Sequence, residues 1–265
     1  MLTHADRAVL HGLTLADAGH GYDPFGLSRA GVATGLALTH FLHRFYFRVQ
    51  AHGIHDVPSH GAAILAANHS GTLPIDAAMI WADVVRRVGR VPRPVADAFV
   101  PAMPFAWTVF SGAGAVAGAR GNLDRLLATG ELPLVFPEGV PGIAKPFGER
   151  YKLRPFRVGH AELAMQHGVP VIPIAVIGAE EQLPLLARLP RLGALLGAPY
   201  LPVPAVPLPL PVHYHIHYGH PIDLRAELGD KADDPVIAQR AAERVRGAVA
   251  ALIEIGLRER PGIFR

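Results

Sequence analysis

Ala66-Ala67-Asn68-His69-Ser70-Gly71-Thr72-Leu73-Pro74-Ile75-Asp76 closes an apolar run that begins at Ala62. The run reads as a buried strand, Ser-Gly as a tight turn, and Pro74 as the opening of a helix with Asp76 in its first turn. Strand, short loop and helix start make one α/β unit, and its loop holds a histidine close to an aspartate. An imidazole oriented by a carboxylate is a general base. The same pattern also suits an ordinary loop with an acidic residue at a helix N-terminus. Ser70 is not set in a Gly-x-Ser-x-Gly elbow, which argues against a nucleophile there.

Working outward, short apolar runs alternate with helical stretches. Strands are expected over 62–67, 94–97, 114–117, 132–136, 170–176 and 212–218. Helices are expected over 74–88, 102–110, 122–129, 155–167 and 235–257. This alternation predicts an α/β fold, with a mixed, mostly parallel sheet flanked by helices and an N-terminal amphipathic helical segment ahead of it. Chemistry in such sheets gathers at strand ends. Asn68-His69, Arg120 and Glu138-Gly139 each follow an expected strand.

A second strand, Leu132-Pro133-Leu134-Val135-Phe136, ends in Pro137-Glu138-Gly139. Asn-His…Asp followed about seventy residues later by Phe-Pro-Glu-Gly resembles the glycerolipid acyltransferases, the lysophosphatidic-acid acyltransferase family. Gly114 to Arg120 is similar to that family's Gly-x5-Arg block, and Val169-Pro170-Val171-Ile172-Pro173 to its Val-Pro-x-x-Pro block. The resemblance covers roughly residues 50 to 225. It implies an O-acyltransferase in which His69, polarised by Asp76, removes a proton from an acceptor hydroxyl that attacks an acyl thioester directly. Backbone N–H groups of the Ser70-Gly71 turn would stabilise the oxyanion. The residues expected to bind substrate are Asn68, Ser70, Gly71, Arg120, Glu138, Gly139, Lys145, Lys152 and Arg154. The co-substrate implied is an acyl-CoA or acyl-carrier-protein thioester, with no other cofactor and no metal. The acceptor implied is a lysophospholipid or related glycerolipid.

The pattern departs from the family in two places. Six residues separate His69 from Asp76 where the family has four, and Val140-Pro141 follow Phe-Pro-Glu-Gly where the family often has Thr or Ser and then Arg. The first puts the partnership of Asp76 with His69 in question. The second removes two polar contacts and points to an acceptor other than plain lysophosphatidic acid.

Composition sets further bounds. The chain has 265 residues, half of them apolar and 18% charged, which is greasy for a soluble enzyme and suggests an exposed apolar face. A formal charge of +3 permits contact with anionic lipid, and no basic run interleaved with aromatics argues for nucleic acid. There are no cysteines, which excludes thiol catalysis, thiolate metal sites and disulfides. Residues 1 to 26 lack the apolar core of a signal peptide. The uncharged stretch 98–119 contains prolines and glycines and reads as a helix followed by a buried strand instead of a membrane span.

Residues 28 to 49 read as an amphipathic helix capped by Ser28. Leu38, Phe41, Leu42, Phe45 and Val49 line one side, and His40, Arg44 and Arg48 another. Such a helix either packs on the core or lies at a membrane interface with its arginines at headgroups. The organisation expected is therefore a helical membrane-associating segment over 1–50 and an α/β acyltransferase domain over 51–265. The protein would sit peripherally or monotopically on the cytoplasmic face of a membrane.

Residues 145 to 157 hold Lys145, Arg150, Lys152, Arg154 and Arg157 with one acid, Glu149. They are placed to grip a phosphate of the acceptor or of a carrier, or to form a solvated basic loop. The proline-rich stretch from Pro199 to Pro211 predicts an extended segment. His213, His215 and His217 share one face of a strand, for which closing the sheet is a sufficient role without a metal. The glycines at 112, 114, 118 and 121 do not follow dinucleotide-loop spacing. Two other classes remain on this reading: a lipid or ester hydrolase using the same His–Asp pair, and a non-catalytic lipid-binding protein.

Overall fold

Residues 2–70, 73–102, 105–195 and 200–265 are described in the computed structural model of the chain. Two helices lead, α1 (His4–Gly12) and α2 (Arg29–Phe41), the second running into a π-turn over Leu42–Tyr46. Then come β1 (Gln50–His52), β2 (Ile64–Ala67), α3 (Ile75–Val88), β3 (Arg93–Ala96), α4 (Ala106–Gly112), β4 (Val116–Ala117) and α5 (Arg120–Ala128). The chain continues through β5 (Pro133–Val135), α6 (Val140–Ile143), α7 (Gly159–His167), β6 (Val171–Ile177) and α8 (Ala179–Gln182). A hairpin of β7 (Leu185–Leu189) and β8 (Leu201–Pro204) encloses α9 (Pro190–Leu195), and β9 (His215–Tyr218), α10 (Leu224–Leu228) and α11 (Pro235–Glu259) complete the order.

The main sheet has the order β1-β9-β6-β2-β5-β3-β4. β2 pairs in parallel with β5 and β6, and β3 in parallel with β5 and β4. β9 runs antiparallel to β6 and parallel to β1. The fold is thus α/β with a mixed, mostly parallel sheet. β2 and β6 are buried along their whole lengths, which is why they read as unbroken apolar runs.

One face of the sheet is covered by α5, α7 and α11, through Leu123, Leu163, Met165, Val245, Val249 and Ile253. The other is covered by α3 and by Phe47, with Met79, Ile80, Tyr214, Ile216 and Tyr218 between them. The N-terminal helices add a third cluster, in which Leu10, Val32 and Leu36 meet Trp81 and Val85 of α3. α2 crosses α3 so closely that a Cβ on Gly35 would stand 2.7 Å from the Trp81 ring.

The helix expected over 28–49 is shorter, and its apolar stripe divides between core and surface. Ser28 caps it, accepting from the Gly31 N–H at 3.1 Å, but helical structure ends at Tyr46 and Arg48 takes φ +45°. Its buried residues are Val32, Gly35, Leu36 and Thr39. Leu38, Phe41 and Phe45 are about 60% exposed, while Leu42 and Val49 pack against the sheet core. Gly35 thus allows the close approach to α3, and Leu38, Phe41 and Phe45 are left on the outside.

Not anticipated were α1, the edge strand β1, the β7–β8 hairpin with its α9, and the short helices α6, α8 and α10. Within the proline-rich stretch Leu201–Pro204 is extended and pairs antiparallel to β7, and residues 205–208 bend. His215 and His217 are buried; the second meets Gly256 of α11, where a Cβ would lie 2.8 Å from its Nε2. The His52 ring stacks on His217 with centroids 4.6 Å apart. Among the described residues, no group of His, Cys, Asp and Glu is arranged to hold a metal ion, and no helix is long and apolar enough to cross a membrane.

Two histidines tie this packing to pH. Burial lowers the pKa of His160 to about 4, against the hydrogen bond its Nδ1–H donates to the Arg157 carbonyl. Burial, and then the neighbouring His213, His217 and His52, lower His215 to about 4. Between the ordinary 6.5 and about 4, the unfolded chain binds protons that the folded chain excludes. Their contribution to stability is therefore full above 6.5 and falls as the pH drops through that window. Urea unfolding between pH 7 and 4.5 should show this decline, and His160→Gln should flatten it. An unchanged slope in the variant would mean that His160 is not held neutral.

Candidate active site

The centre of the sheet sets the geometry. β2 ends at Ala67, and the next side chain, Asn68, is buried and clipped to β6. Its Nδ2 donates to the Val176 carbonyl at 3.1 Å and its Oδ1 accepts from the Val176 N–H at 2.7 Å. Both ends of the amide are used on the neighbouring strand. Asn68, expected to touch substrate, instead fixes where the chain leaves β2.

His69 follows and is held in three ways. Its backbone N–H donates to Glu138 Oε1 at 3.2 Å. Its ring stacks on Phe136 with centroids 4.1 Å apart. Its Nδ1 lies 2.8 Å from Asp76 Oδ2. A carboxylate only accepts, so Nδ1 carries a hydrogen, and in the neutral imidazole it is Nε2 that keeps the lone pair. Nε2 has no hydrogen-bond partner among the described residues, and the side chain is 16% exposed.

Asp76 is fully buried at the start of α3. Oδ2 accepts from His69 Nδ1, from the Ser70 N–H at 2.9 Å and from the Ser70 hydroxyl at 3.3 Å, and Oδ1 accepts from the Ala77 N–H at 2.7 Å. The longer loop therefore still returns Asp76 to His69. Ser70, buried, spends both its hydroxyl and its N–H on Asp76. This corrects the expectation of an oxyanion contact from the Ser70 N–H. Gly71, the other expected donor, lies outside the described residues.

The second block closes on the same loop from the β5 side. Gly139 takes φ +59° at the start of α6. Glu138 is buried: Oε1 serves His69, and Oε2 accepts from the Arg154 N–H at 2.7 Å and from Lys145 Nζ at 3.3 Å. Lys145 is itself buried and bridges to Glu180 Oε1 at 3.0 Å. Burial raises the pKa of Glu180, and Lys145 and the Tyr151 N–H oppose that rise. The expectation that Lys145 grips a phosphate is corrected: its ammonium faces the interior and compensates two carboxylates.

The other cations divide. The Arg154 side chain pairs with Glu149. Arg120 opens α5 and binds Glu162 and Gln166 of α7 at 2.5 and 3.0 Å. Lys152 is exposed. Arg157, one of the basic residues of 145–157 read as a phosphate grip or a solvated loop, lies against Gly139, where a Cβ would stand 2.7 Å from its Cζ. Its N–H donates to the Pro137 carbonyl at 3.0 Å, and its side chain is 64% exposed with Asp97 3.8 Å away. The glycine after Glu138 leaves room for this planar cation.

Several comparisons bear on this geometry. The family model described as Acyltransferase matches residues 48–177. An uncharacterized protein of Mycobacterium tuberculosis is 34% identical over 238 residues, covering 86% of this chain and 66% of that protein. The human protein named DGAT1/2-independent enzyme synthesizing storage lipids is 30% identical over 211 residues, covering 77% of this chain and 60% of that protein. The chain thus spans just under two thirds of the length of the mycobacterial relative. Among solved structures, the 1-acyl-sn-glycerophosphate acyltransferase PlsC of Thermotoga maritima superposes with a TM-score of 0.58 at 18% identity, over 87% of this chain and 81% of that one. At that identity the likeness shows the fold.

Lys145→Met should strand Glu138 and Glu180 as buried, uncompensated carboxylates. Breaking such a pair from one side costs about 3–5 kcal/mol, which urea unfolding would measure. Unchanged stability together with a raised KM for a phosphorylated acceptor would mean that Lys145 serves the ligand after all.

Proposed function

The chain belongs to the acyltransferase family, and on that premise we propose that it moves a fatty acyl group from an acyl thioester to a hydroxyl of a lysophospholipid or related glycerolipid. The observation that carries this reading is the His69 Nδ1–Asp76 Oδ2 contact of 2.8 Å, with Nε2 unpartnered among the described residues just beyond the end of a central parallel strand. Nε2 takes the proton of the acceptor hydroxyl as its oxygen attacks the thioester carbonyl carbon. The tetrahedral oxyanion then collapses, the carbon–sulfur bond breaks, and the departing thiolate takes the proton back from the imidazolium. The products are an ester and a free thiol. Asp76 stabilises the imidazolium between the two transfers. Glu138, with Lys145 behind it, positions His69 through its backbone. No acyl-enzyme is required, consistent with Ser70 being turned toward Asp76.

Support for a lipid acceptor comes from two sources. The human relative is named as an enzyme synthesizing storage lipids, and the Thermotoga protein as acting on 1-acyl-sn-glycerophosphate. With Lys145 turned inward, Arg157 is the cation lying against Gly139 and the one best placed to meet a phosphate there. The donor is acyl-CoA or acyl carrier protein, with no further cofactor. The enzyme works at the cytoplasmic face of a membrane, held by Leu38, Phe41 and Phe45, with Arg44 and Arg48 near the headgroups.

General-base help typically supplies ~10²–10⁴-fold in rate. His69→Ala should therefore cut acyl transfer by at least about a hundredfold with the fold intact, as read from product formation and circular dichroism. Retention of more than about a tenth of the rate would remove His69 from the role. Phe41→Ser with Phe45→Ser should release the protein from anionic liposomes in flotation and lower activity on vesicle-borne acceptor, while a short-chain soluble acceptor is still used. Unchanged flotation with collapsed thermal stability would make this face a core element.

A further inference from the structure

A cleft of about 410 Å³ lies beside the exposed aromatic face, lined by His43, Arg44, Arg48, Val49, Gln50 and His213. Four of its six residues carry basic side chains and none is acidic. Arg44 is exposed and makes no hydrogen bond or ion pair among the described residues. Arg48 is oriented by carbonyls: it donates to Tyr46 O at 2.8 Å, Pro211 O at 2.9 Å and Phe264 O at 3.4 Å. Carbonyls fix a guanidinium without neutralising it, so its charge is left for another partner. His43 Nε2 and His213 Nδ1 are buried atoms with no hydrogen-bond partner. His43 Nε2 has Asp83 Oδ1 3.6 Å away, the other oxygen of that carboxylate accepting from the Tyr218 hydroxyl at 3.0 Å, whereas His213 Nδ1 has no acid paired with it among the described residues. Buried polar atoms in folded proteins are nearly always paired, and an orphan in a cleft points to a missing partner.

Register fixes where this cleft sits. Gln50 of β1 is level with His215 of β9, and His215 with Ile177, the last residue of β6. β6 is parallel to β2, so the cleft opens at the same end of the sheet as His69. Phe41, Phe45 and Tyr46 form the adjacent aromatic rim, with neighbouring ring centroids 6.2 Å apart, and the Tyr46 hydroxyl donates to Pro209 O at 2.6 Å.

We propose that this cleft binds a phosphate group, which Arg44 and Arg48 hold, and that it lies outside the site that performs the reaction. Two arginines with no carboxylate between them suit a phosphate oxyanion. The apolar rim and the shared sheet end favour a phospholipid headgroup, which would orient the His69 end toward the bilayer. A free phosphate would satisfy the same groups. The proposal rests on the membrane reading above only for this choice of source.

The test separates the two sources. Wild type, Arg44→Glu and, as a charge control on the far face of the sheet, Arg240→Glu are compared in two assays. One is thermal unfolding with inorganic phosphate against chloride at matched ionic strength. The other is binding to vesicles of phosphatidylcholine with and without phosphatidylglycerol. Each basic group near an anionic surface is worth a severalfold change in partition, so Arg44→Glu should weaken binding to the anionic vesicles by roughly tenfold, with Arg240→Glu close to wild type. That result supports a headgroup. Phosphate stabilisation lost in Arg44→Glu with vesicle binding unchanged supports a soluble phosphate at the same site. Equal losses in Arg44→Glu and Arg240→Glu, or no loss in either assay, overturn the proposal. Loss of vesicle binding in the Phe41, Phe45 variant, with Arg44→Glu matching wild type in both assays, would leave the membrane reading standing and this site disproved.

Discussion

Two buried carboxylates, Asp76 and Glu138, hold the end of β2 from opposite sides, and the rest of the site depends on them. A buried carboxylate is costly unless every oxygen is satisfied. Here each is. Asp76 collects its donors from the loop it closes, at His69, Ser70 and Ala77. Glu138 collects its own from His69, Arg154 and Lys145. The result is a histidine fixed at its backbone, at its ring face by Phe136 and at one ring nitrogen. What remains free is Nε2, the atom a base needs. Removing either carboxylate would therefore loosen the same imidazole by a different route.

The fold was legible where strands are buried on both faces. Ile64–Ala67 and Val171–Ile177 read as unbroken apolar runs because helices cover both sides of them. β1 was invisible because Gln50-Ala51-His52 carries no apolar pattern; its pairing is supplied by β9. The β7–β8 hairpin was missed for a related reason. Its residues from Leu186 to Leu189 are exposed, so no alternation marks a buried face. α1 is a short helix whose Thr3–Asp6 capping box was present in the sequence and went unread.

The site was legible in its blocks and less so in its orientations. His69, Asp76 and Glu138 come together as the motifs suggested. Charge alone, however, does not say which way a side chain points. Lys145 belongs to a run of basic residues that reads as solvated, yet it is drawn inward because Glu138 and Glu180 need it. Arg157, from the same run, lies over Gly139 because no side chain stands in its way. The N-terminal helix repeats the lesson. Its apolar stripe suggested either a core or an interface, and Gly35 against Trp81 decided which side could approach α3, leaving Phe41 and Phe45 outside.

The central claim is that Asp76 fixes the tautomer of His69, leaving Nε2 bare. Nitrogen-15 NMR of imidazole-labelled protein reads this directly, with the His69 signals assigned by their loss in His69→Gln. For the neutral ring the account predicts a protonated Nδ1, its proton shifted downfield by the Asp76 carboxylate, and an unprotonated Nε2. A neutral His69 ring found with the hydrogen on Nε2 would contradict it, since that nitrogen would then have no lone pair to accept the acceptor's proton.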